Sequence, residues 1–236
     1  MKIENSIALV TGANRGIGLA LAKALLAHGA KKVYAAARDP RSVALAGVTP
    51  LRLDVTDPAQ VAAAAREAHD VTLVINNAGI GSATPLLGDT GEAVLRKELE
   101  TNAFGILRVG RTFAPILAAH GGGALVNVLS VVSWINSPLL ATYSVSKSAA
   151  WSISNGLRNE LRSQGTQVVG VHVGFVDTDL TKGLPGDKHD ANEVAAAILS
   201  GVAAGQEEVV VDELSRQVKL GVAMEPSLYL HPPQRG

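Results

Sequence analysis

The chain has 236 residues, 47% of them hydrophobic and only 3% aromatic, which is enough to bury a core built of Ala, Val, Leu and Ile rather than of large rings. Lys and Arg together number 21, as do Asp and Glu, so the formal net charge of zero supplies no broad field for nucleic acid or an anionic membrane surface. There is no Cys, which excludes disulfides and thiolate metal sites, and no metal centre is expected.

The opening MKIENSIALVTG has too short an apolar run for a signal peptide, and no apolar stretch is long enough to span a bilayer. A soluble cytoplasmic protein is the expectation. Residues 6–11 (SIALVT) read as a strand, 16–28 as a helix, and 31–37 and 51–55 as two further strands. A helix over 58–69 follows, with Asp57 as N-cap and Pro58 in its first turn. Residues 71–76 (VTLVIN) form a fourth strand, and a long helix from about Glu92 to His120 is expected to bend near Gly105 or Pro115. Residues 121–130 return as a strand, 141 to about 164 as a helix, 166–174 as a sixth strand, 192–204 as a helix and 207–211 as a short last strand.

Short strands alternating with Ala- and Leu-rich helices predict right-handed crossovers and a parallel sheet. The expected fold class is therefore α/β, a doubly wound parallel sheet (Rossmann fold) of about seven strands with helices on both faces. No linker or low-complexity tract divides the chain, so residues 1–236 are assigned to a single domain. Segments near 80–90, 133–141 and 179–190 follow strand C-termini, where such sheets bind ligands, and are the expected substrate loops.

The first strand-to-helix junction carries TGANRGIG, residues 11–18. Gly12, Gly16 and Gly18, with Asn14, Arg15 and Ile17 between them, suit a tight turn that brings backbone close to a pyrophosphate at the helix N-terminus. The second strand ends Ala35-Ala36-Ala37-Arg38, without the acid that would accept the ribose 2′-hydroxyl of NAD. Arg38, with Arg15, predicts NADP(H) instead, the two flanking a 2′-phosphate, although Asp39 lies close by.

TGANRGIG, Asp54-Val55, Asn76-Asn77-Ala78-Gly79, Asn102, Ser130 and Tyr143-Ser-Val-Ser-Lys147 stand in the order and spacing of the motifs of the short-chain dehydrogenase/reductase family, which the chain resembles over about residues 5–180. That resemblance implies an NADP-dependent carbonyl reductase, reversible as an alcohol dehydrogenase. Reduction of a ketone leaves an alkoxide that needs a proton, and a phenol can give it once its pKa of roughly 10 is lowered by a nearby cation. Tyr143 is then the general acid/base and Lys147, one helical turn on, its pKa tuner and ribose clamp. Ser130 is the donor to the substrate carbonyl, with Ser133 as the rival position. Asn102 resembles the family's anchor for a water in the proton relay.

The resemblance also assigns the remaining cofactor contacts. Asp54 and Val55 would recognise the adenine, and Asn76, Ala78 and Gly79 would line the adenosine ribose. Gly174, the backbone of Val176 and the hydroxyl of Thr178 would fix the carboxamide and pyrophosphate. Ile80 to Leu86, Trp134, Leu139, Val176, Leu180 and Leu184 are expected to form a mostly apolar pocket suited to an uncharged ketone, aldehyde or secondary alcohol, with Trp134 alternatively a packing residue.

Two departures stand out. Val173 replaces the family's usual Pro, and the C-terminal stretch from Glu207 lacks the usual Gly-rich ending. Small residues at Ser148, Ala149, Ser152 and Gly156 would let a second copy approach, so a homodimer or homotetramer is expected. The rival readings are an epimerase or dehydratase on the same frame, and an NADP(H)-binding sensor or scaffold without turnover.

Overall fold

In the computed structural model, which describes residues 1–184 and 186–232, a strand of buried small and branched residues opens the sheet. This is β1 (Ile7–Thr11), followed by α1 (Gly16–Ala27), β2 (Lys32–Ala37), β3 (Thr49–Arg52), α2 (Pro58–Glu67) and β4 (Leu73–Asn76). The second half holds α3 (Gly91–Leu99), α4 (Gly105–Ala119), β5 (Ala124–Val128), α5 (Ala141–Leu161), β6 (Gln167–His172), α6 (Ala191–Ala203), β7 (Glu208–Val210) and α7 (Glu213–Val222). All seven strands form one parallel sheet in the order β3-β2-β1-β4-β5-β6-β7.

The period of two along each strand feeds two cores. Ala8, Val10, Val33 and Ala35 turn to the face covered by α1 and α6, where Leu21, Leu25, Ile198 and Leu199 are buried. Leu9, Tyr34, Ala36 and Val74 turn to the opposite face, against Phe113 and Leu117 of α4 and Leu157 of α5. Burial on both faces explains why these strands read as continuous apolar runs. A third, smaller cluster joins Val131, Val132, Ile135 and Tyr143 to Val218 of α7.

Four expectations need correction. The predicted long helix is broken by a π-helical turn, Glu100–Phe104, so α3 and α4 are separate elements and Pro115 is accommodated inside α4. The strand expected over 121–130 starts only at Ala124, because Gly121, Gly122 and Gly123 take φ of +84°, +97° and +58°. The third strand ends at Arg52 rather than running to Val55. Finally, α7 has no counterpart in the sequence reading. Pro185, within the expected 179–190 loop, and residues 233–236 lie outside the described residues.

The β1–β4 neighbourhood is where the strand order reverses direction, and ligand clefts of doubly wound sheets open there, beyond the strand C-termini. Among the described residues, no helix is long and apolar enough to cross a membrane.

Candidate active site

Helix α5 starts at Ala141, so Tyr143 and Lys147 lie one turn apart in its first half, both buried. Lys147 Nζ donates to the carbonyl of Val128 at the end of β5 (2.8 Å) and stands 5.7 Å from the Tyr143 ring centroid. Just beyond β5, Ser130 caps a short 3-10 turn over Val131–Ser133, its Oγ accepting from the Val132 amide (3.3 Å). The Ser130 and Tyr143 side chains line the same stretch of wall. Ser133 is committed elsewhere: its hydroxyl accepts from the Ser130 amide (3.3 Å) and its carbonyl from Ser148 Oγ (3.0 Å). The geometry therefore brings Ser130, not Ser133, to the phenol.

Asn102 sits in the π-helical turn with no exposed surface. Its Oδ1 accepts from the Ile80 amide (2.9 Å), while Nδ2 donates to the Ile80 carbonyl (2.8 Å) and to Ser146 Oγ (2.9 Å). The side chain thus clamps the chain after β4 to α5, one residue from Lys147. A Cβ at Gly79 would lie 3.3 Å from Asn102 Oδ1 and 3.8 Å from Lys147 Nζ. Asn102 is consequently a neighbour of the cation through packing rather than by direct hydrogen bond.

Burial dominates the electrostatics. It pushes the Tyr143 phenol above its ordinary range, with the Glu98 carboxylate adding to the rise and the Ser130 hydroxyl opposing it. Burial lowers the Lys147 ammonium from 10.5 to about 8. The expectation that Lys147 depresses the Tyr143 pKa is not met in this arrangement, where burial raises the phenol and the ammonium is turned to Val128.

Two cavities meet here. The larger, about 940 Å³, runs past Gly12, Asn14, Arg15, Gly16 and Ile17 to Arg38, Asp54 and Val55, then along Ala78, Gly79 and Ile80 to Val176 and Thr178. The smaller, about 510 Å³, has walls of Val131, Val132, Ile135, Leu139, Leu180 and Leu184, closed by Leu214 and Val218 of α7. Ser130, Tyr143, Gly81, Gly174, Leu180 and Thr181 border both, and Lys147 borders the larger.

Most predicted residues fall on these walls, with five qualifications. Asn76 lies within the sheet, its Nδ2 donating to Asn127 Oδ1 (2.9 Å), and Asn77 faces the cleft instead. Gly18 serves packing, since a Cβ there would stand 2.2 Å from the Gly12 carbonyl oxygen. Ile80 borders the larger cleft rather than the smaller cavity. Trp134 reaches neither; it stacks on the buried His172 (centroids 3.8 Å apart, planes 14° from parallel). Arg15 pairs with Asp179 (3.0 Å) rather than standing free beside Arg38.

The walls of the larger cleft fit a phosphate-bearing dinucleotide. Helix α1 begins there with no side-chain cap and no acidic residue in its first turn, so its open N–H groups and positive end face an anion site. Arg38 is exposed on the rim, with no hydrogen bond or ion pair among the described residues. Asp39 also borders the cleft, but its carboxylate is held at both oxygens by Arg41 (3.0 Å each). Beyond β6, the bridge between Val176 and His189 uses the Asp177 amide and the Phe175 carbonyl, leaving the Val176 N–H outside it.

The short chain dehydrogenase family model matches residues 6–189. The chain belongs to the short-chain dehydrogenase family. Relatives of this short-chain dehydrogenase include the 3-oxoacyl-[acyl-carrier-protein] reductase FabG of Escherichia coli, 33% identical over 87% of this chain and 85% of the relative. Gluconate 5-dehydrogenase of Gluconobacter oxydans is 34% identical over 79% of this chain and 77% of its own. A solved short chain dehydrogenase of Burkholderia cenocepacia, in complex with NADP, superposes with a TM-score of 0.94 at 36% identity, covering all of both chains. The protein is an oxidoreductase of this family.

Several residues of this short-chain dehydrogenase's site escaped the sequence reading. Leu214 and Val218 sit four apart behind the cap residue Asp212, a helix signal present in the sequence, but the cavity they close is built by distant loops. Gly81 touches the Tyr143 ring, a hypothetical Cβ lying 2.8 Å from Tyr143 Cδ2. Glu98 is 1% exposed although it is charged and sits on a surface helix, which composition alone does not reveal.

Proposed function

We propose that this dehydrogenase transfers hydride between NADP(H) and an uncharged ketone, aldehyde or secondary alcohol, with Tyr143 as general acid/base. The observation that carries the reading is the seam: a cleft fitted to a dinucleotide and a mostly aliphatic cavity meet at Ser130 and Tyr143. Arg38, unpaired on the rim, suits the 2′-phosphate, and the engagement of Asp39 by Arg41 removes the nearest acid from competition. The aliphatic walls favour a hydrocarbon-bearing carbonyl over a polyol.

The bound nicotinamide supplies the hydride. The protein's part is to polarise the carbonyl through the Ser130 hydroxyl and to deliver a proton from Tyr143 Oη to the developing alkoxide. A buried phenol of raised pKa remains protonated at neutral pH, the state that reduction requires. Lys147, held by Val128, lies where it can clamp ribose hydroxyls. Asn102 holds Ile80 and Ser146 so that the two walls of the cleft keep their spacing.

The test is a steady-state assay with NADPH and NADH against uncharged aryl and alkyl ketones, with Tyr143→Phe alongside. Carbonyl-dependent NADPH oxidation, slower with NADH and lost in the variant, is expected; Tyr143→Phe turnover equal to the parent's sinks the assignment.

A further inference from the structure

Ser82 borders the smaller cavity one residue beyond Gly81, which rests on the Tyr143 ring. Its Oγ donates to Glu98 Oε1 (3.0 Å) and lies 2.9 Å from Thr84 Oγ1. Glu98 is buried on the inner side of α3, and its other oxygen, Oε2, has no hydrogen-bond partner among the described residues. Burying a carboxylate with one oxygen unsatisfied is costly, and stability gives no reason to keep it.

The proton inventory of this cluster is fixed. A carboxylate only accepts, so the single Ser82 proton is committed to Glu98. Thr84 must then be the donor in the Ser82–Thr84 contact. Ser82 Oγ has one lone pair left, and it therefore meets a ligand as an acceptor only. Thr181 and Ser137 also bring hydroxyls to this wall, the first buried and donating to the Val176 carbonyl and the second half-buried like Ser82, but among the described residues of the wall it is Ser82 whose proton is held by a buried carboxylate. Lys182, also on the wall, donates only. Ser130 and Tyr143 supply donors to the carbonyl oxygen, and Ser82 places a fixed acceptor on the wall of the same cavity.

We propose that Ser82, held as an acceptor by the positioning residue Glu98, selects carbonyl substrates that carry a hydroxyl or N–H donor next to the reacting carbon. This rests on the reading of the site as a carbonyl reductase. An acceptor poised in an aliphatic pocket is left desolvated by a substrate without such a donor, which is how a pocket of this kind discriminates.

The experiment compares acetophenone, 2-hydroxyacetophenone and 2-methoxyacetophenone with NADPH. The last two activate the carbonyl similarly but differ in having a donor, so their kcat/KM ratio reads the Ser82 contact. The parent is expected to favour the hydroxy over the methoxy ketone by about tenfold, the worth of one hydrogen bond. Ser82→Ala is expected to collapse that ratio, and its residual ratio calibrates the size difference between the two ketones. Glu98→Gln, whose amide can donate to Ser82 and release its proton toward the cavity, is expected to move the preference toward the methoxy ketone. A parent ratio near one, or an unchanged ratio in Ser82→Ala, overturns the proposal while leaving carbonyl reduction standing. No turnover of any of the three ketones overturns the carbonyl-reductase reading itself, and this proposal with it.

Discussion

Tyr143 is boxed by a glycine on one side and a cation on the other. Because a Cβ at Gly81 would come within 2.8 Å of the ring, Gly81→Ala must displace either the phenol or the loop. Its kcat is expected to fall by at least tenfold with melting behaviour nearly unchanged, and a parental kcat would refute the contact's importance. Lys147 gives a stability signature of its own. Its folded pKa of about 8 lies below the ordinary 10.5, so between those values the unfolded chain binds more protons and stability rises with pH. The cost of burying the charge is fully present below pH 8 and is relieved as pH climbs toward 10.5. Lys147→Met is thus expected to be the more stable protein at pH 7, by on the order of 3 kcal/mol, with the difference shrinking above pH 8. Urea denaturation of both proteins at pH 7 and pH 10 checks this; a pH-independent difference contradicts it.

At the scale of elements, the C-terminal helix α7 is the part that tailors the pocket. Asp212, 3% exposed, accepts from the Ser215 amide (2.8 Å), from Ser215 Oγ (3.0 Å) and from the Gly174 amide (2.7 Å). It therefore caps α7 and fastens it to the seam of the two cavities. Asp212→Ala is expected to cost about 2 kcal/mol, from the lost cap and the stranded Gly174 amide, and to raise KM for ketones more than KM for NADPH. Equal effects on both KM values would show that α7 does not shape the smaller cavity. The elements differ in how plainly they were written in the sequence. The glycine loop, Ser130 and the Tyr143–Lys147 pair were readable because each depends on spacing along one or two adjacent elements. Trp134 was not: its ring is claimed by His172, a partner 38 positions away at the end of β6, and only the folded sheet brings them together. The break at Glu100–Phe104 was half readable. A bend was expected near Gly105, but a π-helical turn is set by Asn102 gripping Ile80, a long-range hydrogen bond that helical periodicity does not encode.

For the whole molecule, the doubly wound parallel sheet of seven strands was legible because alternation of buried runs and Ala-rich helices leaves few parallel topologies, while the order of its strands came only with the structure. Association with other copies depends on surfaces that no single-chain pattern specifies. On α5, Ser152 is exposed and an added Cβ at Gly156 would meet nothing within 4 Å, while Phe104 and Leu107 are 46% and 39% exposed. Light scattering is expected to give a multiple of the 24.3 kDa chain mass, and Gly156→Arg to lower it; a parent of 24.3 kDa refutes the homo-oligomer.

The exposed Arg15–Asp179 bridge, finally, ties the two cavities together. Arg15 belongs to the glycine loop, and Asp179 opens the turn that carries Leu180 and Thr181 along the seam. An ion pair this open to solvent is worth only about 0.2–1 kcal/mol, so an arriving phosphate can take Arg15 and free that turn. Seating the dinucleotide is then expected to be coupled, weakly, to the turn that lines the smaller cavity. NADPH is expected to tighten ketone binding by no more than about fivefold through this bridge, and Asp179→Asn to abolish that coupling, which initial rates at varied NADPH and ketone measure.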